Sequence, residues 1–363
     1  MTGPQPRARR ATRRAGSANS PAPLTGSTDR PASIADVALF AGVSPQTVSR
    51  VVNGHPSVSD LTRSRVLAAI DKLAYRPNPA ARALASGKSR TLGVVALGTG
   101  FYGPASTLLG IEAAAQKHGY FVSVATVHST DRGSVRKAIE RLTHQSVDAL
   151  ALIAPYTSAQ EAVSSLATGV PVVVVEGDTR GDMSVVAVDQ ALGARLATEH
   201  LLEMDRGTVF HIAGPQNWLD ARGRAEGWRR ALRAAGARVN PPIAGDWTAR
   251  SGYEAGQVLA QVPDARAIFV GNDSMALGAL LALHEHGRRV PDDVALVGFD
   301  DSPDAAYFCP PLTTVRQDFA ALGETAVRVL LEQLRQGGGA RHELLGPTLV
   351  VRQSTTAGPW AGD

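Results

Sequence analysis

The chain has 363 residues, 44% of them hydrophobic, enough for two or three domains with a sizeable core. Its one cysteine, Cys309, leaves no partner for a disulfide, a CxxC redox pair or a cysteine zinc site, and no apolar run approaches the ~18 residues of a membrane span. The formal charge of +4 is split: residues 1–90 hold 14 basic and 4 acidic side chains, a net of +10, while the remainder, with 23 and 29, carries −6. This is the balance of a phosphate-binding head on an acidic body.

Residues 1–30 read as a disordered basic tail: six arginines among Ser, Pro, Gly and Ala, with no apolar stretch after the arginine pairs to make an export signal. Residues 31–76 read as three short helices. Ser33 caps the first, with Asp36 in its opening turn, and Ile34, Val37, Ala38 and Ala41 form its apolar stripe. Gly42 breaks the chain. Ser44 then caps a second helix with Pro45 at its first position, where the missing N–H costs nothing. Val48, Val51 and Val52 are its buried positions, and Gln46, Thr47, Ser49 and Arg50 project elsewhere. A third helix starts at Ser59 and buries Val66, Ile70 and Leu73. Gln can pair bidentately with adenine and Arg with guanine, so the second helix is equipped to read base edges in a major groove.

Residues 77–90 read as a helix of about two turns and a linker, from the Asn78 cap and Pro79 to the Gly87 stop. Alone, so short a helix is marginal. From Thr91 onward, β-branched runs alternate with Ala/Leu-rich helices. The candidate strands are Leu92–Leu97, Phe121–Thr126, Ala149–Ile153, Pro171–Val175, Val185–Val188, Val209–Ile212, Ala267–Val270, Ala295–Phe299 and Leu349–Arg352. Strands without polar alternation, separated by helices, predict parallel sheets covered on both faces, and their number predicts two doubly wound lobes.

Ligands of such sheets sit beyond the carboxyl ends of the strands. Gly271-Asn272-Asp273 and Gly298-Phe299-Asp300-Asp301 lie there, with Arg222-Gly223-Arg224 and Asp246-Trp247-Thr248 in loops nearby. Together they offer carboxylates, a bidentate donor, an amide and an aromatic face, the set a sugar needs. A competing motif, Gly98-x-Gly100-x-x-Gly103, matches the dinucleotide fingerprint and raises a remote NAD-dependent oxidoreductase reading. Pro104 is expected to delay the helix, and Ala125-Thr126-Val127 closes the second strand without an acidic residue, so the motif is weak and this stays a remote alternative. No GxSxG or HExxH constellation points to hydrolysis. Neither an enzyme nor a cofactor is expected.

The run from Asp36 to Gly54 (DVALFAGVSPQTVSRVVNG), followed by Val58-Ser59, Thr62-Arg63, Val66 and Tyr75-Arg76-Pro77-Asn78, resembles the signature of the lactose/galactose repressor family of bacterial regulators. The resemblance extends to about Thr356. It implies a cytoplasmic, nucleoid-associated, dimeric repressor with an all-α helix-turn-helix head and hinge helix. Residues 91–363 then form a two-lobed α/β domain of the periplasmic-binding-protein type: lobe one about 91–188 and 318–346, lobe two about 189–317 and 347–357. It makes Pro45, Gln46 and Arg50 base readers, Ser44, Thr47, Ser49, Asn53 and Ser57 mainly phosphate contacts, and adds Tyr75 to the DNA-binding set. Leu84 matches a minor-groove wedge with Arg82 beside it. In the body it implies effector contacts at Arg224, Asn272 and Asp300, a stacking face at Trp247, and Gln317 and Phe319 at the lobe crossover. The family's acidic contact after the third strand has no obvious counterpart, so Tyr102, Phe101 and Tyr156 stand as lobe-one candidates. The implied partners are operator DNA, a second copy and a small effector. The Gly-Asp-Trp-Thr-Ala segment resembles members answering to β-linked sugars, such as cellobiose or a galactoside; a purine co-repressor is the alternative. No heptad tail follows residue 356, which predicts a dimer.

Overall fold

The computed structural model describes residues 30–76, 87–127, 131–154, 156, 168–179, 181–337 and 339–356. The chain divides into two compact units, Met1–Ala81 and Arg82–Asp363. The basic tail and the short helix expected at Asn78–Gly87, with Arg82 and Leu84, lie outside the described residues, apart from Arg30 and Gly87.

The head is three helices, α1 (Ile34–Ala41), α2 (Pro45–Val52) and α3 (Asp60–Lys72). Each begins on a serine whose hydroxyl accepts a backbone N–H of the first turn: Ser33 from Asp36, Ser44 from Thr47, Ser59 from Thr62. At α1 the cap is reciprocal, since Ser33 N donates to Asp36 Oδ2 at 2.8 Å. Those bonds, the Ser33 hydroxyl first, hold Asp36 below the usual carboxylate range. Gly42 turns the chain from α1 to α2 at φ 62°, a left-handed conformation that costs a residue with a Cβ. Val37, Ala38, Ala41, Val48, Val51, Val66 and Ala69 make the core, with Ile70 and Leu73 packed at its edge. The Arg65 guanidinium donates to the carbonyl of Ala41, tying α3 to the α1–α2 turn.

The body contains two six-stranded sheets. The first has the order β11-β5-β4-β3-β1-β2, from β1 (Thr91–Leu97), β2 (Phe121–Val127), β3 (Ala149–Ile153), β4 (Val172–Val175), β5 (Ser184–Val188) and β11 (His342–Leu345). All its pairs are parallel. The second has the order β12-β10-β9-β8-β6-β7, from β6 (Phe210–Ala213), β7 (Ile243–Ala244), β8 (Ala267–Val270), β9 (Ala295–Asp300), β10 (Thr313–Arg316) and β12 (Thr348–Val350). Here only β12 runs antiparallel to its neighbour. Helices α4 (Tyr102–Lys117), α5 (Arg132–His144) and α10 (Phe319–Gln336) cover the first sheet. Helices α6 (Gln190–Leu202), α7 (Leu219–Ala234), α8 (Ala249–Ala260) and α9 (Asp273–Glu285) cover the second. No described helix is long and apolar enough to cross a membrane.

The chain passes between the sheets three times: after β5, between β10 and α10, and between β11 and β12. The C-terminal ends of the parallel strands in both sheets therefore lead into loops around one cleft. Three strands were not expected from the sequence. β10 is Thr-Thr-Val-Arg, whose threonines are buried because their hydroxyls are bonded: Thr313 Oγ1 to Arg352 O at 2.8 Å and Thr314 Oγ1 to Asp273 Oδ1 at 2.6 Å. β7 has two residues, and β11 is a half-exposed edge. α4 starts at Tyr102, ahead of Pro104, because the first turn of a helix does not need the N–H that proline lacks.

Candidate functional site

The head presents one polar helix face. Pro45, Gln46, Arg50, Asn53 and Ser57 are exposed, and Thr47, Ser49 and Tyr75 are half-buried. The side chains of Gln46 and Arg50 make no hydrogen bond or ion pair to a described residue, whereas their neighbours are locally braced. Ser44 Oγ lies 2.9 Å from Thr47 Oγ1, Asn53 Nδ2 donates to Ser49 Oγ at 3.4 Å, and Ser57 Oγ is 2.8 Å from His55 Nδ1. Tyr75 packs against the core of the head. Two long side chains with spare donors and acceptors thus stand on a rigid, capped helix, the arrangement that base reading requires.

The cleft of the body is a cavity with about 490 Å³ of unfilled space, part of it open to solvent. Arg224, in the second turn of α7, is its centre. The side chain is 5% exposed, and its guanidinium lies 3.8 Å from the centre of the Phe299 ring. Nε donates to Gln190 Oε1 at 2.8 Å, one terminal nitrogen donates to Gly271 O, and the other is 3.5 Å from Asp300 Oδ1. Asp300 accepts from Gln317 Nε2 at 2.8 Å. Its backbone sits at φ 112°, followed by Asp301 at φ 54°, and Trp247 stands at φ 75°. Three non-glycine residues in this region at one site cost about 1–3 kcal/mol each, strain the surroundings must hold. Arg316 and Arg352 grip Asp301 at 2.6 and 2.7 Å and supply part of that restraint.

Six expected residues line this cleft together with Tyr102: Arg224, Trp247, Asn272, Asp300, Gln317 and Phe319. Tyr102 opens α4 and meets Phe319 edge-on at 5.7 Å. Asn272 caps α9, accepting from Met275 N at 2.9 Å, and donates to Trp247 O at 3.1 Å. Its amide is therefore largely spent on fixing the loop that carries the tryptophan. The Trp247 ring lies so close to Gly214 that a Cβ there would meet it at 2.1 Å, so only glycine fits that strand end.

Tyr156 does not line the cleft. It bridges to Trp218 and packs on its ring at 4.8 Å, buried behind it. Burial, with the charge of Asp220 adding to it, pushes its phenol up to about 12. The lining residues that sequence reasoning missed include Glu176, Asp220 and Trp218. Glu176 directly follows β4, so the strand-end rule marks it, and it places a lobe-one carboxylate in the cleft after the fourth strand rather than the third. Asp220 precedes Arg224 by one helical turn, the spacing that puts both on one face.

Three carboxylates thus face one guanidinium. Burial raises Asp300 and Asp220 to about 6 each, against the opposing pull of Arg224. Burial, then the Asp220 charge, raises Glu176 well above the carboxylate range. Behind them burial and the Asp300 charge lift Asp273 to about 8, although Thr314 and Ser302 N donate to it. Glu176 Oε1 and Trp247 Nε1 are buried and have no hydrogen-bond partner. The cleft therefore offers acceptors in excess of donors, between aromatic walls from Phe101, Tyr102, Trp218 and Phe319. Among the described residues, no group of three or more His, Cys, Asp or Glu is placed to hold a metal ion.

The family model of bacterial regulatory proteins, lacI family, matches residues 33–78, and that of the periplasmic binding protein-like domain matches residues 198–355. The lactose operon repressor of Escherichia coli K12 is 36% identical over 332 residues, 91% of this chain and 92% of its own length. A lac repressor dimer bound to operator and the anti-inducer ONPF superposes with a TM-score of 0.84 at 34% identity, covering 90% of this chain and all of that one. The repressor PurR of Haemophilus influenzae Rd is 33% identical over 89% of this chain and 98% of its own length. The regulator CelR in complex with cellobiose matches at a TM-score of 0.67 and 32% identity, covering 89% of this chain and 99% of that one. Identity of this extent, over a head and a body that each match the family's two domains, shows that the chain belongs to the lacI family of bacterial regulatory proteins and is a transcriptional repressor, not an enzyme.

Proposed function

We propose that two copies of the chain bind a palindromic operator upstream of carbohydrate-use genes and that a β-linked disaccharide, such as cellobiose or a galactoside, seated in the cleft releases them. In this reading Gln46 and Arg50 contact base edges, Pro45 packs beside them, and Ser44, Thr47, Ser49, Asn53 and Ser57 set register on the phosphates. A two-fold operator calls for a two-fold dimer.

The observation that carries the effector class is the excess of acceptors in the cleft. Among the described residues, Glu176, Asp220 and Asp300 surround Arg224 as the only lining cation. A sugar hydroxyl donates one hydrogen and accepts at two lone pairs, so a ring of hydroxyls matches a set of carboxylates around one guanidinium. Aromatic walls suit the apolar C–H faces of the same ring. A purine base offers fewer hydrogens, two N–H in hypoxanthine and four in guanine, than the hydroxyls of a disaccharide, and so leaves more of these carboxylates unmatched. Glu176 Oε1 and Trp247 Nε1 are a buried acceptor and a buried donor without a partner, on two residues that line the cleft.

Calorimetric titration of the purified protein with cellobiose, lactose, galactose, hypoxanthine and guanine tests this. Saturable binding of one of the sugars, absent in Arg224→Ala, is the expected result. Binding of a purine and of none of the sugars contradicts the effector class.

A further inference from the structure

Two of the three passages between the sheets are joined by one side chain that does not line the cleft. Gln190 opens α6, just after the first passage, and Gln317 occupies the second. Gln190 Nε2 donates to Gln317 Oε1 at 2.8 Å and, at a longer 3.5 Å, to Glu176 Oε2. Its Oε1 accepts from Arg224 Nε at 2.8 Å. The side chain is buried, with the whole residue 8% exposed, and both ends of the amide are used.

The chemistry of the partners fixes the direction of every bond in this ring. Arginine only donates, so Gln190 turns its oxygen to Arg224 and its nitrogen to Gln317. Gln317 must then offer its oxygen to Gln190 and its nitrogen to Asp300 Oδ1, 2.8 Å away. Arg224 closes the ring 3.5 Å from the same oxygen. A change of angle between the lobes moves the two passages, and it cannot do so without disturbing the amide that holds Arg224.

We propose that Gln190 is the positioning residue of the effector response: it touches no ligand, but ties Arg224 and, through Gln317, Asp300 to the two passages, so that a ligand seated on Arg224 and Asp300 biases the setting of the lobes. This rests on the cleft being the effector site. A side chain at 190 that cannot donate forces Gln317 to reverse its amide, which sets the oxygen of Gln317 against the Asp300 carboxylate. That contact is tolerable only when Asp300 carries a proton. Arg224 and Asp220 from α7, Gln317 from the second passage, Asp273 from α9 and Tyr102 from α4 act on Asp300. These groups are present in wild type and variant alike, so the ratio of the two affinities isolates the effect of residue 190.

The test measures cellobiose affinity, or that of whichever panel sugar binds, and operator release for wild type, Gln190→Glu, Gln190→Met and Arg224→Ala. Gln190→Glu keeps an acceptor for Arg224 but loses the hydrogens donated to Gln317 and to Glu176, so protons taken up by Asp300 and by the facing carboxyls of residues 176 and 190 all relieve it at low pH. Its affinity is expected to fall about tenfold against wild type at about pH 8 and to return to within about threefold at about pH 5.5. Gln190→Met, with neither acceptor nor donor, is expected to stay weak at both. Operator affinity without sugar should remain within about threefold of wild type in both variants. Melting curves identify any variant that fails to fold; should Gln190→Met do so, the two-pH comparison of Gln190→Glu decides alone. Wild-type sugar affinity and release in Gln190→Glu at both pH values, with sugar binding lost in Arg224→Ala, overturns the role of Gln190 and leaves the cleft reading standing. Normal sugar binding by Arg224→Ala overturns both.

Discussion

The polar face of α2 and the cleft of the body both hold side chains suited to a ligand, but they are built in opposite ways. Gln46 and Arg50 lie four residues apart on one exposed helix, and everything that places them is local: three serine caps, a glycine turn and a core of valines and alanines. In the cleft, Glu176, Asp220, Arg224, Asn272, Asp300 and Gln317 arrive from separate strand ends, loops and a helix. There each residue is also part of the frame: Asn272 is a helix cap, Gln317 spans a passage, and Arg224 bonds a backbone carbonyl. The difference teaches that binding and stability are separable in the head and bound together in the cleft.

The largest effect is expected where they are bound together. Arg224→Ala removes a cation from among buried carboxylates, a change that costs about 3–5 kcal/mol when a buried pair is broken from one side. Urea unfolding should show this loss. The loss should shrink toward pH 6, as Asp300 and Asp220 take up protons. Operator affinity without effector should survive in whatever fraction remains folded. Arg50→Ala is the counterpart in the head. It should weaken operator binding by about 1–3 kcal/mol and relax specificity at one base, with an unchanged melting temperature. A fall in melting temperature of many degrees would break the contrast drawn here.

The pH dependence sharpens it. Asp273, lifted to about 8, favours the folded state while protonated, so this stability is present at low pH and lost as pH rises through its folded pKa. His211 works the other way. Burial first, and nearby arginines, lower its imidazole to about 4, so its share is present above its unfolded value near 6.5 and lost as pH falls. Between about pH 6.5 and 8.5 the aspartates dominate, and the body should gain about 1–2 kcal/mol on acidification. Asp273→Asn should flatten most of that slope in thermal melts, since the Thr314 hydroxyl can reverse and accept from the new amide. Ser44→Ala is the smallest of the four, about 1 kcal/mol of head stability from one lost cap, read by the same melts and by a matching fall in operator affinity.

The contrast also explains what the sequence disclosed. The three head helices were legible because serine, proline and glycine act on their immediate neighbours. Most strands were legible as unbroken apolar runs such as Val172–Val175, but Thr313–Arg316 was not, since its threonines are core residues only by virtue of partners 39 to 42 positions away. In the site, Arg224, Trp247, Asn272, Asp300, Gln317 and Phe319 were placed through the family resemblance. Glu176 was not, although its place directly after an apolar strand was a signal; Asp220 and Gln190 were not, because a carboxylate or an amide becomes notable only once burial removes its water, and that burial is tertiary. Tyr156 was misplaced for the same reason: nothing local reveals that Trp218 stands in front of it.

The central claim is that one chain couples an exposed reader of DNA to a buried reader of sugar. Fluorescence anisotropy of labelled DNA from the protein's own promoter, at fixed salt and with excess non-specific competitor, tests it most directly when repeated with and without cellobiose, lactose, galactose, hypoxanthine and guanine. The account predicts competitor-resistant binding that one of the sugars releases in wild type but not in Arg224→Ala. Binding that no sugar weakens, or that a purine strengthens, contradicts it.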